Sequence, residues 1–437
     1  MRLKKILSLC LAALLCITLS GCNFFDSNMD ELLSPPKPEG DMYYVQQALE
    51  DSAGEGITLK YPVMGDYRSA LTLKDINGDG ISEAIALYST TSDNTVTVHI
   101  NLIAREDDSW TSKGDLSLVG NGVESISFSD LDGDSVVEII VGWMVYSTVE
   151  KQVGIYTYNG VTLVQRALEP YTNFLCADLT GDGVKDMAVV YLNTTEKTAS
   201  AGVFSLTTDG ISKVGSTPLD GGVSSYSAPV LSVLGDGTPA VYIDAVKGSG
   251  MLTEIIWFKD GKLQGVYNPD APEASHTYRN GSVPSRDYNK NGIIDIPVSQ
   301  ILISTANMAD SDKVYYTNWS EFDGNKFNYS ASMFMNYNDG YSITVPQSLK
   351  DKLLVIRKSE ARLRFFYSYN PKTGTAGDEL FKIVVIIPQD YNLDMYPQND
   401  YILLERTDSL VYLAKISVGN SLGITQEDVR SMFGLIK

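Results

Sequence analysis

The chain has 437 residues, with 54 acidic against 34 basic side chains and a net charge of −20. So acidic a surface repels phosphate backbones and anionic headgroups, which excludes nucleic acid as a partner and adsorption to an anionic membrane surface. Two histidines and four cysteines, none at metal-ligand spacing, exclude a His/Cys metal site.

At the N-terminus Arg2, Lys4 and Lys5 precede a mostly apolar stretch from Ile6 to Ile17, and the segment ends Leu19-Ser20-Gly21-Cys22. The run is shorter than the roughly eighteen residues of a spanning helix. Residues 1–21 therefore read as an export signal. The closing tetrapeptide resembles the bacterial lipobox, which implies lipidation of Cys22 and attachment to the outward face of the cell membrane through lipid alone. Residues 22–42, with Pro35-Pro36-Lys37-Pro38, are expected to form an extended tether. With Cys10 and Cys16 removed and Cys22 lipidated, only Cys176 remains, so no intramolecular disulfide is available. Beside Phe174, Leu175 and Ala177 it reads as a small buried hydrophobe.

From residue 43 to 336 one pattern repeats. Nine-residue acidic loops begin at Asp75, Asp130, Asp178 and Asp287. Their positions 1, 3, 5 and 9 are Asp75, Asn77, Asp79 and Glu83; Asp130, Asp132, Asp134 and Glu138; Asp178, Thr180, Asp182 and Asp186; and Asp287, Asn289, Asn291 and Asp295. All offer oxygen. The backbone carbonyls of position 7, Ile81, Val136, Val184 and Ile293, complete a set suited to Ca²⁺, which takes about six to eight oxygen ligands. Up to four calcium sites are expected. An EF-hand would place a bidentate Glu at position 12 and helices on both sides. Position 12 is instead Ala86, Val141, Val189 and Val298, inside β-branched runs such as Ile139-Ile140-Val141. These loops join strands. A fifth copy from Ser232 to Ala240 keeps Gly235-Asp236-Gly237 but only one ligand side chain, and should hold the turn without metal.

Counting that copy, loops start at 75, 130, 178, 232 and 287, steps of 48 to 55 residues that suit a four-stranded blade. Hairpin turns follow each loop: Asp107-Asp108, Asn159-Gly160, Asp209-Gly210, Asp260-Gly261 and Asp323-Gly324. Repeated Asp-x-[Asp/Asn]-x-[Asp/Asn] loops followed by strands resemble the FG-GAP/VCBS repeats, the propeller class that includes the calcium-binding blades of integrin α chains. The resemblance implies a mainly β protein, a β-propeller, with the loop residues above as metal ligands. Five blades are recognisable, and seven are common in the family.

Residues 337–437 lack acidic loops. Runs such as Leu353-Leu354-Val355-Ile356 and Phe381-Lys382-Ile383-Val384-Val385-Ile386-Ile387 predict five or six antiparallel strands. A helix capped by Thr425 and Asp428 closes the chain. The expectation is a separate small α+β domain; two further blades would be the alternative.

His99 lies in the alternating strand Val96-Thr97-Val98-His99-Ile100, and no Gly-x-Ser-x-Gly elbow or phosphate-cradling glycine loop is present. The 26 tyrosines and the tryptophans Trp110, Trp143, Trp257 and Trp319 read as packing residues of the blades. The sequence thus points to a binding protein that is not an enzyme, gripping an extracellular protein or glycan. A polysaccharide-acting enzyme and a purely structural envelope lipoprotein are the alternatives.

Overall fold

A computed structural model describes residues 40–436 apart from 55, 108, 146–150, 208–209, 272–276, 310–311, 359–361 and 393. The export signal, Cys22, nearly all of the tether and His276 lie outside the described residues. Helix α1 (Asp41–Ala53) opens this region. Six antiparallel sheets follow. The first holds β1 (Thr58–Leu59), β2 (Leu71–Lys74), β3 (Glu83–Ser92), β4 (Thr95–Glu106) and β5 (Ser109–Val119), with β1 and β2 sharing one edge of β3. The second runs β6 (Gly122–Ser129), β7 (Glu138–Met144), β8 (Lys151–Tyr158), β9 (Leu163–Tyr171), and the third β10 (Asn173–Ala177), β11 (Asp186–Asn193), β12 (Thr198–Thr207), β13 (Gly210–Leu219).

In the fourth, β14 (Ser225–Tyr226) and β15 (Val230–Val233) share an edge of β16 (Pro239–Lys247). There β18 (Lys262–Gly265) and β19 (Arg279–Asn280) share the far edge of β17 (Gly250–Lys259). The fifth contains β20 (Asp295–Ile301), β21 (Tyr315–Phe322), β22 (Phe327–Asn336) and β23 (Tyr341–Val345). The sixth contains β24 (Leu353–Lys358), β25 (Leu363–Asn370), β26 (Thr375–Ile386), β27 (Ile402–Arg406) and β28 (Val411–Ile416). Helix α2 (Gln426–Met432) and β29 (Phe433–Leu435) complete the chain.

Side chains on successive strand residues point to opposite faces, so a strand buried on both faces must be apolar throughout. The strands after the loops of the second, third and fourth repeats follow this rule over their central residues. Ile139 and Val141 pack into the core shared with the first sheet. Ile140 between them packs into the core shared with the third. Met187 and Val189 face the second sheet, while Ala188 and Val190 face the fourth. Val241 and Ile243 look back to the third sheet, and Ala240 and Tyr242 look forward to the fifth. Small antiparallel meanders packed face to face in this way make a mainly β fold of propeller type.

The C-terminal segment starts with a strand of the fifth sheet before it forms the sixth. Tyr341 pairs with Asn336 and Ser342 with Met335, so β23 adds to the outer edge of the fifth sheet. β29 then adds beyond it, with Ile343 opposite Phe433. One core runs through both parts, joining Phe334, Tyr341 and Ile343 to Phe366, Phe381 and, from α2, Val429 and Met432. The sheet therefore crosses the expected boundary at 336/337, because apolar strands on either side of it bury one another's faces. The capping box at Thr425 and Asp428 is present.

Helix α1 replaces the expected extended chain at residues 41 and 42 and extends to Ala53. Val45, Ala48 and Leu49, at i, i+3 and i+4 spacing, lie against Ala84, Ala86, Tyr88 and Ile103 of the first sheet. Burial of Leu49, fully inaccessible, contributes about 1.5–3 kcal/mol. The far face of the sixth sheet is covered by Tyr391, Tyr396 and Tyr401.

Candidate functional site

The four acidic loops share one hydrogen-bonded frame. Position 1 accepts two main-chain N–H groups: Asp75 from Gly78 and Gly80, at 2.8 and 3.0 Å; Asp130 from Gly133 and Ser135, at 2.7 and 3.0 Å; and Asp178 from Gly181 and Gly183, at 2.7 and 3.0 Å. Asp287 accepts from Asn291 and Gly292, at 3.0 and 2.8 Å. Position 5 accepts the N–H of position 7, as Asp79 does from Ile81, Asp134 from Val136, Asp182 from Val184 and Asn291 from Ile293. Positions 4 and 6 have positive φ in every loop, which explains their glycines and leaves Ser135 at 71° and Lys290 at 61° in the same conformation. The fifth copy keeps positive φ only at Gly237, and Asp236 accepts from Thr238. It holds the turn with one ligand-type side chain.

Position 9 is the first residue of β3, β7, β11 and β20 respectively. Glu83, Glu138, Asp186 and Asp295 are all buried, with exposures of 4, 0, 1 and 0%. Each accepts the N–H of position 2, donated by Ile76, Leu131, Leu179 and Tyr288. Loss of solvation raises the carboxyl pKa of Glu83, Glu138 and Asp295, and pushes Glu138 up to about 7. Neighbouring carboxylates push the same way: Asp79 on Glu83, Asp132 on Glu138 and Glu321 on Asp295. Buried carboxylates with carboxylate neighbours and no cation among their hydrogen-bond partners are an arrangement that a hard divalent cation relieves.

In the second loop Asp130, Asp132 and Glu138 bring carboxylate oxygens within 4.8 Å of one another, and it is the only such group of three among the described residues. One oxygen of Asp132, Oδ1, is buried without a hydrogen-bond partner. An orphaned anionic oxygen within a converging carboxylate group fits a calcium ion. Asp134 stands outside that group, as do the ligand residues of the other three loops. Ile81, Val136, Val184 and Ile293, whose carbonyls were expected as ligands, hold position 5 through their N–H groups.

Sequence reasoning missed the residues that brace position 9 from neighbouring strands. Thr157 donates to Glu138 at 3.3 Å, Ser205 donates to Asp186, and Ser330 donates to Asp295 at 2.6 Å. Glu321, opposite Asp295 in the ladder, accepts from the Asn289 and Asn291 amides, both at 2.8 Å. It adds a carboxylate to the loop with the fewest of its own. The signal was register: Thr157, Ser205 and Glu321 sit one strand over from their loops and Ser330 two strands over, and pairing had to be known to see it.

His99 is partnered on both sides, with Asp115 at 2.7 Å and Thr90 at 3.0 Å, and stacks on Tyr88. Cys176 is partly buried against the core between the second and third sheets, and burial pushes its thiol up to about 12. Trp143, Trp257 and Trp319 are core residues.

No family model matches the chain, and no curated protein matches it. Solved structures do. An exotype rhamnogalacturonan lyase matches at 11% identity over 81% of this chain and 83% of that one, with a TM-score of 0.31. A rhamnogalacturonan lyase of Bacillus licheniformis matches at 10% identity over 82% and 90%, TM-score 0.30. The periplasmic gluconolactonase of Pseudomonas aeruginosa matches at 9% identity over 74% and 87%, TM-score 0.26. These similar structures are enzymes by description, which corrects the expectation that the chain is not an enzyme: that assignment is withdrawn. At such identities and TM-scores they assign neither reaction nor substrate. Among the described residues no helix is long and apolar enough to cross a membrane.

Proposed function

We propose that this is an exported protein, anchored by lipid on Cys22, whose FG-GAP/VCBS-type blades are stapled by up to four calcium ions and bind a protein or glycan ligand at the cell surface. The observation that carries the reading is the common frame of the acidic loops, each ending in a buried carboxylate at the first residue of a strand. Buried, mutually repelling carboxylates destabilise the metal-free fold, and a bound ion converts that cost into stabilisation. At a free calcium concentration 100 times Kd, one site stabilises the fold by about 2.7 kcal/mol. Calcium then does the work of a disulfide, which Cys176, the one cysteine among the described residues, does not form.

Thermal unfolding of chelated protein, with Ca²⁺ titrated back and Mg²⁺ as the control, tests the reading. The midpoint is expected to climb by several degrees with Ca²⁺ and to stay within about one degree with Mg²⁺, which holds its waters and demands octahedral geometry. Equal behaviour with the two ions overturns the calcium assignment. Lipid anchoring is tested separately, by loss of membrane partitioning in Cys22→Ser.

A further inference from the structure

The first two acidic loops are bonded to each other. The main-chain N–H of Val137, position 8 of the second loop, donates to the carbonyl of Ile76, position 2 of the first, at 2.8 Å. The N–H of the same Ile76 donates to Glu83, the buried carboxylate that closes the first loop, at 2.9 Å. A continuous line therefore runs from Glu83 through Ile76 to Val137, and the next residue is Glu138, the buried carboxylate that closes the second loop. Packing reinforces the line. The Ile76 side chain is fully buried in one core with Ile139 and Val141, which follow Glu138 in β7. Gly78 of the first loop comes so near the Ser135 carbonyl of the second that a Cβ on it would stand 3.6 Å away.

The fourth loop has a different neighbour. It meets the degenerate copy, where Val233 and Ile293 form an isolated parallel bridge and the Ser232 hydroxyl donates to the Gly292 carbonyl at 2.9 Å. That copy keeps one ligand-type side chain, so no second ion site lies across this contact. Position 8 of the copy is Pro239, which has no N–H to give to a preceding loop, yet it begins β16 much as Val137 leads into β7. The chain thus already carries a proline at the position of Val137, with the loop turn and the strand after it both formed.

We infer that the first and second loops bind calcium cooperatively, coupled through the Ile76–Val137 hydrogen bond, while the fourth loop binds independently of them. Glu83, once held by an ion, fixes the peptide of Ile76, and a fixed Ile76 sets Val137 and with it the entry of Glu138 into the second site. Ordering of the shared peptide then counts once for two ions, so whichever ion arrives second meets a loop already in place. Linkage makes the effect reciprocal. This inference rests on the calcium-stapled role proposed above.

The test is a double-mutant cycle on the mature full-length protein in detergent, stripped of metal and titrated with Ca²⁺ in competition with a fluorescent chelator, which gives the product of its calcium binding constants. Asp79→Ala, Asp134→Ala and Asn291→Ala each remove the exposed position-5 ligand of one loop, the first, second and fourth. The losses from Asp79→Ala and Asp134→Ala, multiplied together, are expected to exceed the loss in the double variant by about fivefold, because each single variant forfeits the coupling as well as its own site. For Asn291→Ala with Asp134→Ala the losses should simply multiply. Val137→Pro, which removes the linking N–H, is expected to abolish the fivefold excess while both sites still bind. Calcium binding with simple multiplication in the first pair overturns the coupling alone, and a parent that binds no calcium overturns the calcium reading with it. Should Val137→Pro fail to fold, the cycle on the exposed Asp79 and Asp134 still decides.

Discussion

Ser129 and Glu138 face each other across the ladder between β6 and β7. The first carries a buried hydroxyl with no hydrogen-bond partner, and the second closes the second acidic loop with a fully buried carboxylate. The end of the loop and the end of β6 are therefore held together at one ladder position.

Glu138→Gln tests the second loop. The amide removes a charge that the ion needs while keeping an acceptor for the N–H of Leu131, which now lies 2.7 Å away. The calcium-induced gain is expected to fall by about one site's share, roughly 2–3 kcal/mol at saturation, measured by urea unfolding with and without calcium.

Glu321→Ala tests the residue that register, not loop spacing, brings to the fourth loop. Its carboxylate orients the Asn289 and Asn291 amides. Loss of such an outer partner is expected to weaken calcium at that loop roughly tenfold. A chelator-competition titration resolving the weakest site would report it, and Asp236→Ala in the degenerate copy should leave every site unchanged.

Glu254 makes stability pH-dependent for reasons unrelated to metal. It is 2% exposed, and burial first, then the nearby Asp220, pushes its carboxyl up to about 7 despite the N–H it accepts from Asp220. Because the folded pKa exceeds the unfolded value of 4.5, the folded state holds the proton more tightly. Its contribution is therefore most favourable below pH 4.5 and is lost as the pH rises through about 7. In saturating calcium, Glu254→Gln is expected to flatten that decline and to stabilise the protein at pH 8 by up to roughly 3 kcal/mol. Chemical unfolding at half-unit pH steps measures it.

Arg279 pins the chain after β18 to the fourth sheet. Fully buried, it pairs with Asp244 at 2.7 Å and donates to Thr253, Thr277 and Val283. Arg279→Leu leaves Asp244 buried without its cation and is expected to cost about 3–5 kcal/mol, read as a lower urea midpoint at unchanged slope. The double variant Arg279→Leu with Asp244→Leu should recover part of that loss.

The acidic loops, their strand context and the Asp260-Gly261 turn, with positive φ at both residues, were legible because each depends on residues within ten positions of one another, whereas Asp108 and Asp209 of two other expected turns lie outside the described residues. Gly78, Gly80 and Asp75 carry their conformation and hydrogen bonding in local spacing. Helix α1 was legible in principle too, through Val45, Ala48 and Leu49, but its periodicity is short and starts inside a segment that composition marks as tether.

By itself the sequence determined the repeat, the oxygen-rich ligand chemistry and the β character of the chain, since local sterics and period-two burial act along the backbone. Tertiary structure alone decided which hydroxyls brace each buried carboxylate, that Glu321 joins the fourth loop, and that β23 and β29 extend the fifth sheet. It also decided that Ile76 and Val137 join the first loop to the second. Those relationships are set by strand register and by the packing of one sheet on the next, and a residue's own neighbours in the chain carry no record of either.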